Sequence, residues 1–178
     1  MISPAVVPAR NENTPMNEVT TYYLEMTSRA ALRSKSESRG LKIRECIIKQ
    51  YPLNRFLYQF IGAPWKWTDR LVWTDQQWEG YAENENLRTW VAYLGGTPAG
   101  YYELQKQEDG NVEVVLFGLA SRFFGMGLGG YFLSQALESA WSWEGTKRVW
   151  LHTCTYDHAH ALQNYTARGM TLYHEDAH

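Results

Sequence analysis

At 178 residues, 44% of them hydrophobic, the chain is of single-domain size and carries enough apolar material for a core. Its formal net charge of -2 gives no basic footprint for nucleic acid, and no apolar run approaches the roughly 20 residues that span a bilayer. The two cysteines, Cys46 and Cys154, lie far apart without metal-ligand pairing, which fits reduced thiols and a cytoplasmic setting.

The first 17 residues, with Pro4, Pro8 and Pro15, lack the charged and apolar regions of a secretory signal and read as a flexible tail. Met16 is an alternative start of translation, and residues 18–178 read as one domain without internal repeats. The β-branched and aromatic run from Val19 to Thr27 predicts a strand, and the polar stretch from Ser34 to Gly40 a mobile loop. Leu41 to Ile48 predicts a second strand with Leu41, Ile43 and Ile47 on one face and a bulge near Cys46. Leu53, Phe56, Leu57 and Phe60 fall at helical spacing, in a helix closed by Gly62 and Pro64. Thr74 with Gln77 predicts a capping box, opening a helix that buries Trp78, Tyr81 and Ala82.

Leu87 to Leu94 and Ala99 to Lys106 flank Gly95, Gly96, Thr97 and Pro98 as an antiparallel hairpin, and Asp109 with Gly110 turns the chain into a further strand from Val112 to Leu119. Leu128, Phe132, Leu133, Ala136, Leu137, Ala140 and Trp141 mark an amphipathic helix ending near Gly145. A strand from Val149 to Thr153 follows, then a helix from Asp157 or His158 to Gly169, then a strand from Met170 to Glu175. This order predicts an α/β fold: a mixed, mostly antiparallel sheet flanked by helices, with an additional N-terminal strand.

The most informative stretch is VEVVLFGLASRFFGMGLGG, from Val112 to Gly130. A β-rich run is followed by Gly125, Gly127, Gly129 and Gly130 at the start of a helix, where bare backbone N–H groups attract phosphate. A plain strand-to-helix turn is the alternative, but glycine within a helix costs about 1 kcal/mol relative to alanine, so four close together favour a phosphate site. A Walker loop fails because Leu128, not lysine, follows Gly127. The dinucleotide pattern GxGxxG is met by Gly125, Gly127 and Gly130, yet Ala120 to Phe124 separate it from its strand and no carboxylate stands near Trp150 and Leu151. A nicotinamide enzyme is thus the weaker reading.

Arg122, Gly125 and Gly127 instead match Gln or Arg, two residues, Gly, one residue, Gly or Ala, placed just after a strand. In this the chain resembles the GNAT superfamily of N-acetyltransferases, whose pyrophosphate loop for acetyl-coenzyme A has that form. The resemblance runs from Leu41 to the C-terminus, without the family's final strand; the strand from Val19 to Thr27 is expected to fill the vacant sheet position. It implies a donor site made by Phe117, Gly118, Leu119, Arg122, Phe124, Gly125, Met126, Gly127, Leu128, Gly129 and Gly130. It also implies that the strand end near Leu119 splays, pairs with pantetheine and offers backbone N–H groups to the thioester oxygen.

Acetyl transfer to an amine needs a base and an acid. Glu113 resembles the family's general-base glutamate in its spacing from the loop, and period-two alternation places it with Val115, Phe117 and Leu119, where apolar neighbours raise a carboxylate pKa. A solvated strand-end glutamate is the plainer alternative. Glu103, after Gly100 on the neighbouring strand, is the rival base, at a place where other GNAT enzymes set a carboxylate that works through water. Tyr165 is the acid that the resemblance implies, because Ala161, Tyr165 and Gly169 match the family's Asn, two residues, Ala, three residues, Tyr, three residues, Gly, Phe. A core tyrosine beside Leu162 is the alternative. His158 stands where that pattern has Asn, Met170 where it has Phe, and Phe124 where an Arg or Lys commonly precedes the first glycine.

His152, His158 and His160 near Cys154 suggest a metal only if they converge, and no metal is expected. Trp65, Trp67, Trp73 and Trp78 are either core or the wall of an acceptor pocket. The resulting expectation is an acetyl-CoA dependent N-acetyltransferase acting on a small-molecule or peptide amine, with no nucleic acid or membrane partner and a homodimer left open. A catalytically silent domain that binds coenzyme A as a sensor is the alternative.

Overall fold

The computed structural model describes residues 19–157 and 160–177; the expected tail, the start at Met16 and every role weighed for His158 lie outside them. Its centre is a seven-stranded sheet in the order β2-β3-β4-β5-β6-β1-β7. The strands are β1 (Thr20–Met26), β2 (Lys42–Glu45), β3 (Leu87–Leu94), β4 (Thr97–Lys106), β5 (Asn111–Leu119), β6 (Arg148–Cys154) and β7 (Thr171–Ala177). Every neighbouring pair is antiparallel except β5 with β6. The N-terminal strand β1 lies between β6 and β7, its Leu24 opposite Leu151 and Leu172 and fully buried.

Among the described residues four α-helices cover the sheet: α1 (Tyr51–Gly62), α2 (Asp75–Ala82), α3 (Gly129–Ser142) and α4 (Ala161–Ala167). On one face, Phe132 of α3 packs against Tyr102 and Phe117, whose rings lie 5.5 and 4.7 Å away. The opposite face meets α1, with Ile61 over Gly118 and Asn54 bonded to Glu103. Leu128, Phe132, Leu133, Ala136, Leu137 and Ala140 are all buried, so the apolar stripe of α3 is the one the periodicity predicts.

The local signals for α2 and the hairpin also hold. Thr74 Oγ1 accepts from Gln77 N–H at 3.3 Å, and Gln77 Oε1 accepts from Thr74 N–H at 2.9 Å, closing the capping box. Gly95 and Gly96, at φ 59° and 84°, form the turn between β3 and β4, while Thr97 and Pro98 already belong to β4.

Two expected element boundaries, of β2 and α4, are corrected, and the buried face of α1 is defined. The strand β2 stops at Glu45, and Ile47 and Ile48 are exposed because the chain leaves the sheet edge there to enter α1. In α1 the buried stripe is Asn54, Leu57, Tyr58 and Ile61; Leu53, Phe56 and Phe60 face outward, with the rings of Phe56 and Phe60 stacked at 5.5 Å. A buried polar residue turned the helix: the Asn54 amide donates to Thr89 Oγ1 and Glu103 Oε1, both at 2.8 Å. Helix α4 begins at Ala161 rather than at Asp157, since the Asp157 carboxylate instead accepts from the Thr153 hydroxyl and the Cys154 N–H and closes a turn.

The stretch from Ser34 to Gly40, expected to be a mobile loop, is strapped to α3. Lys35 N–H donates to Ser134 Oγ at 2.8 Å, and the Ser34 hydroxyl donates to Glu138 at 2.5 Å. The Ser34 side chain and the Lys35 backbone find partners on the helix that composition alone does not reveal.

Candidate active site

The parallel pairing of β5 with β6 covers only Asn111 with Arg148, Val112 with Val149 and Glu113 with Trp150. Beyond Glu113 the two strands part, so the edge of β5 from Val114 to Leu119 has no strand on that side. The parting opens a cleft of about 870 Å³. The splay expected near Leu119 is thus a feature of the sheet.

The glycine loop closes one end of this cleft. Gly125 and Gly127 have φ of 73° and 72°, values that disfavour any side chain and let the chain turn sharply into α3. Among the described residues no side chain caps helix α3, which leaves the amides of its first turn without a partner. Phe117, Gly118, Leu119, Phe124, Gly125, Gly127, Leu128, Gly129 and Gly130 all line the cleft. Arg122 and Met126 do not: both are exposed on the outer side of the loop.

Glu113 lines the same cleft, but not on the face that simple alternation predicts. Glu103 pairs with Leu116 and Leu104 with Val114, leaving Val115 unpaired in a bulge. One extra residue reverses the alternation, so Glu113 shares a face with Leu116, Gly118 and Glu103, whereas Phe117 and Leu119 face α3. The Glu113 carboxylate is nearly buried, and that burial raises its pKa above the ordinary carboxylate value, against the opposing pull of His152, Gln107 and Arg70. Gln107 orients it: its amide donates to Glu113 Oε2 at 2.8 Å while its oxygen accepts from Trp150 Nε1 at 3.0 Å.

Glu103 is sealed off. It is fully buried, outside the cleft wall, and its carboxylate accepts from Asn54 and from the Tyr81 hydroxyl, with Arg70 Nη1 at 3.6 Å. Burial raises its pKa, and these partners oppose the shift. Arg70 in turn lies over the rings of Tyr81 at 4.2 Å and Trp73 at 5.0 Å.

Tyr165, on α4, lines the cleft from the far side of the parted strands and packs edge-on against Phe117 at 6.4 Å. Burial, then the charge of Asp157, pushes its phenol pKa well above the ordinary value of 10.0, so it stays protonated at neutral pH. The four tryptophans divide: Trp65 and Trp67 line the cleft, while Trp78 is core and Trp73 packs on it at 5.1 Å. Among the described residues no three or more His, Cys, Asp or Glu side chains gather to hold a metal ion. His152 instead stands beside Glu113, at 3.9 Å.

The profile of the acetyltransferase (GNAT) family matches residues 49–170. The chain belongs to that family. Among solved structures it resembles a GCN5-related N-acetyltransferase from Kribbella flavida (17% identity, TM-score 0.63), covering 86% of this chain and 54% of that one. A second, from Sphaerobacter thermophilus, is 15% identical at a TM-score of 0.67 and is matched over 89% of this chain and 50% of its own. The chain therefore spans about half the length of these two GNAT structures. An aminoglycoside acetyltransferase from an uncultured soil metagenomic sample, solved with trehalose, is 15% identical at a TM-score of 0.59, over 73% of this chain and 88% of that one. No match was found among curated proteins.

In this GNAT domain several residues that line the cleft or hold its side chains carry no sequence signal of their own. Gln107 lies just past the end of β4 and meets Glu113 only through the turn at Asp109 and Gly110. Lys35 and Arg168 also line the cleft, from opposite ends of the chain, and only the strap brings them together.

Proposed function

We propose that the chain is an acetyl-coenzyme A dependent N-acetyltransferase that acylates a primary amine by direct attack. The observation that carries this reading is that Glu113 and Tyr165 line one cleft together with the unpaired edge of β5 and the uncapped N-terminus of α3. Family membership supports acyl transfer, and the loop of Gly125 to Gly130 fits the phosphates of the donor.

The donor supplies an acyl thioester. Glu113 takes a proton from the ammonium of the acceptor and leaves a nucleophilic amine; its raised pKa makes it an effective base near neutrality. Backbone N–H groups on the free edge of β5, near Leu119, hydrogen-bond the oxygen on which negative charge develops. Tyr165 gives its proton to the departing sulfur. Glu103, with its oxygens occupied and no surface in the cleft, holds Arg70 and Tyr81 in place rather than reacting. Trp65 and Trp67 wall the acceptor end, and the aminoglycoside acetyltransferase fold, also solved with sisomicin, supports a small-molecule amine as acceptor.

A thiol-release assay with acetyl-CoA and a panel of primary amines tests the reading. Amine-dependent release of free coenzyme A is expected. Binding of acetyl-CoA without release for any amine would overturn it in favour of a sensor.

A further inference from the structure

The glycine loop's own cation, Arg122, is exposed and outside the cleft, yet a different guanidinium lies at the α3 N-terminus. Arg168, at the end of α4, is only 9% exposed, and its Nε and Nη1 have no hydrogen-bond partner among the described residues. A buried guanidinium with unmet donors is costly unless an anion meets it. Nη1 stands over the first turn of α3, where a Cβ on Gly130 would meet it at 2.8 Å.

Lys35 reaches the same spot from the strap. The Gly130 Cβ position lies 2.7 Å from its Cδ. The approach is fixed by backbone contacts: Arg33 N–H donates to Arg168 O at 2.9 Å, Lys35 N–H to Ser134 Oγ at 2.8 Å, and Ser134 Oγ to Gly130 O at 2.8 Å. Arg39, further along the strap, is committed elsewhere, to Met126 O at 3.1 Å and Glu37 at 3.5 Å.

We propose that Lys35 and Arg168 clamp the pyrophosphate of the donor against the amides of Gly129 and Gly130. The strap and α4 thereby provide in three dimensions the charge that the loop sequence lacks at Phe124. This rests on the coenzyme A reading. The clamp is a charge-assisted one, so it weakens with salt.

Calorimetric titration of coenzyme A and 3′-dephospho-coenzyme A into wild type, Arg168→Met, Arg168→Lys and Lys35→Met tests it. Arg168→Met is expected to weaken both ligands equally, by about ten- to hundredfold, with partial recovery in Arg168→Lys. Lys35→Met, a change at an exposed side chain that leaves the fold intact, is expected to weaken both by about threefold to tenfold and to flatten the salt dependence. Unchanged affinity in Lys35→Met and Arg168→Met overturns the clamp while leaving the donor reading standing. Loss for coenzyme A alone would move Arg168 to the 3′-phosphate and also overturn it. A wild type that binds neither ligand refutes the donor reading and the clamp with it.

Discussion

Glu113 Oε1 lies 3.9 Å from His152 Nε2, across the point where β5 and β6 begin to part. A protonated imidazole there favours the carboxylate and lowers its pKa, against the larger effect of burial. Removing it in His152→Gln is expected to move the acidic limb of the kcat/KM profile to higher pH. A pH-rate series on both proteins checks this.

Glu113→Gln removes the base. Activity with a primary amine is expected to fall about 10²- to 10³-fold, and the acidic limb to disappear. Stability moves the other way. A carboxylate whose folded pKa is raised above its unfolded value adds stability only at acid pH and loses it as pH rises through the folded pKa. At mildly alkaline pH the glutamine variant should therefore melt no lower than wild type, which a pair of thermal melts would show.

Tyr165→Phe is expected to lower kcat about tenfold to a hundredfold while leaving the dissociation constant of coenzyme A unchanged. Because burial and Asp157 hold the phenol pKa well above 10.0, no alkaline limb from Tyr165 should appear in the wild type below that pH. Unaltered turnover in the variant would remove Tyr165 from the chemistry.

Glu103→Gln leaves Arg70 without its counter-charge in a buried site. A loss of about 2 kcal/mol in urea unfolding is expected, with kcat/KM of the folded protein unchanged. Intact stability with abolished turnover would reverse the assignment and make Glu103 the base.

Much of this architecture is written locally. The capping box at Thr74 and Gln77, the Gly95–Gly96 turn and the apolar stripe of α3 each depend on a few adjacent residues, and each forms as its sequence predicts. Long-range contacts decide the rest. Alternation set Glu113 beside Phe117, but the bulge at Val115 is created by pairing with β4 and reverses the face. Helical spacing marks α1 through Leu53, Phe56, Leu57 and Phe60 but does not tell which face is buried, which the Asn54 amide sets by meeting Thr89 and Glu103. At the candidate site the glycines were legible because their conformations are special. Gln107, Lys35 and Arg168 were not, since nothing local marks a side chain whose neighbour lies across the fold.

In the proposed reaction acetyl-coenzyme A occupies the parted strands and the start of α3. Amide hydrogen exchange, measured with and without saturating acetyl-coenzyme A, tests it most directly. Slowed exchange is expected within Leu116 to Leu119 and Gly127 to Gly130, where N–H groups on the free edge of β5 and at the start of α3 gain partners. Binding that leaves both segments exchanging at their free rates would contradict it.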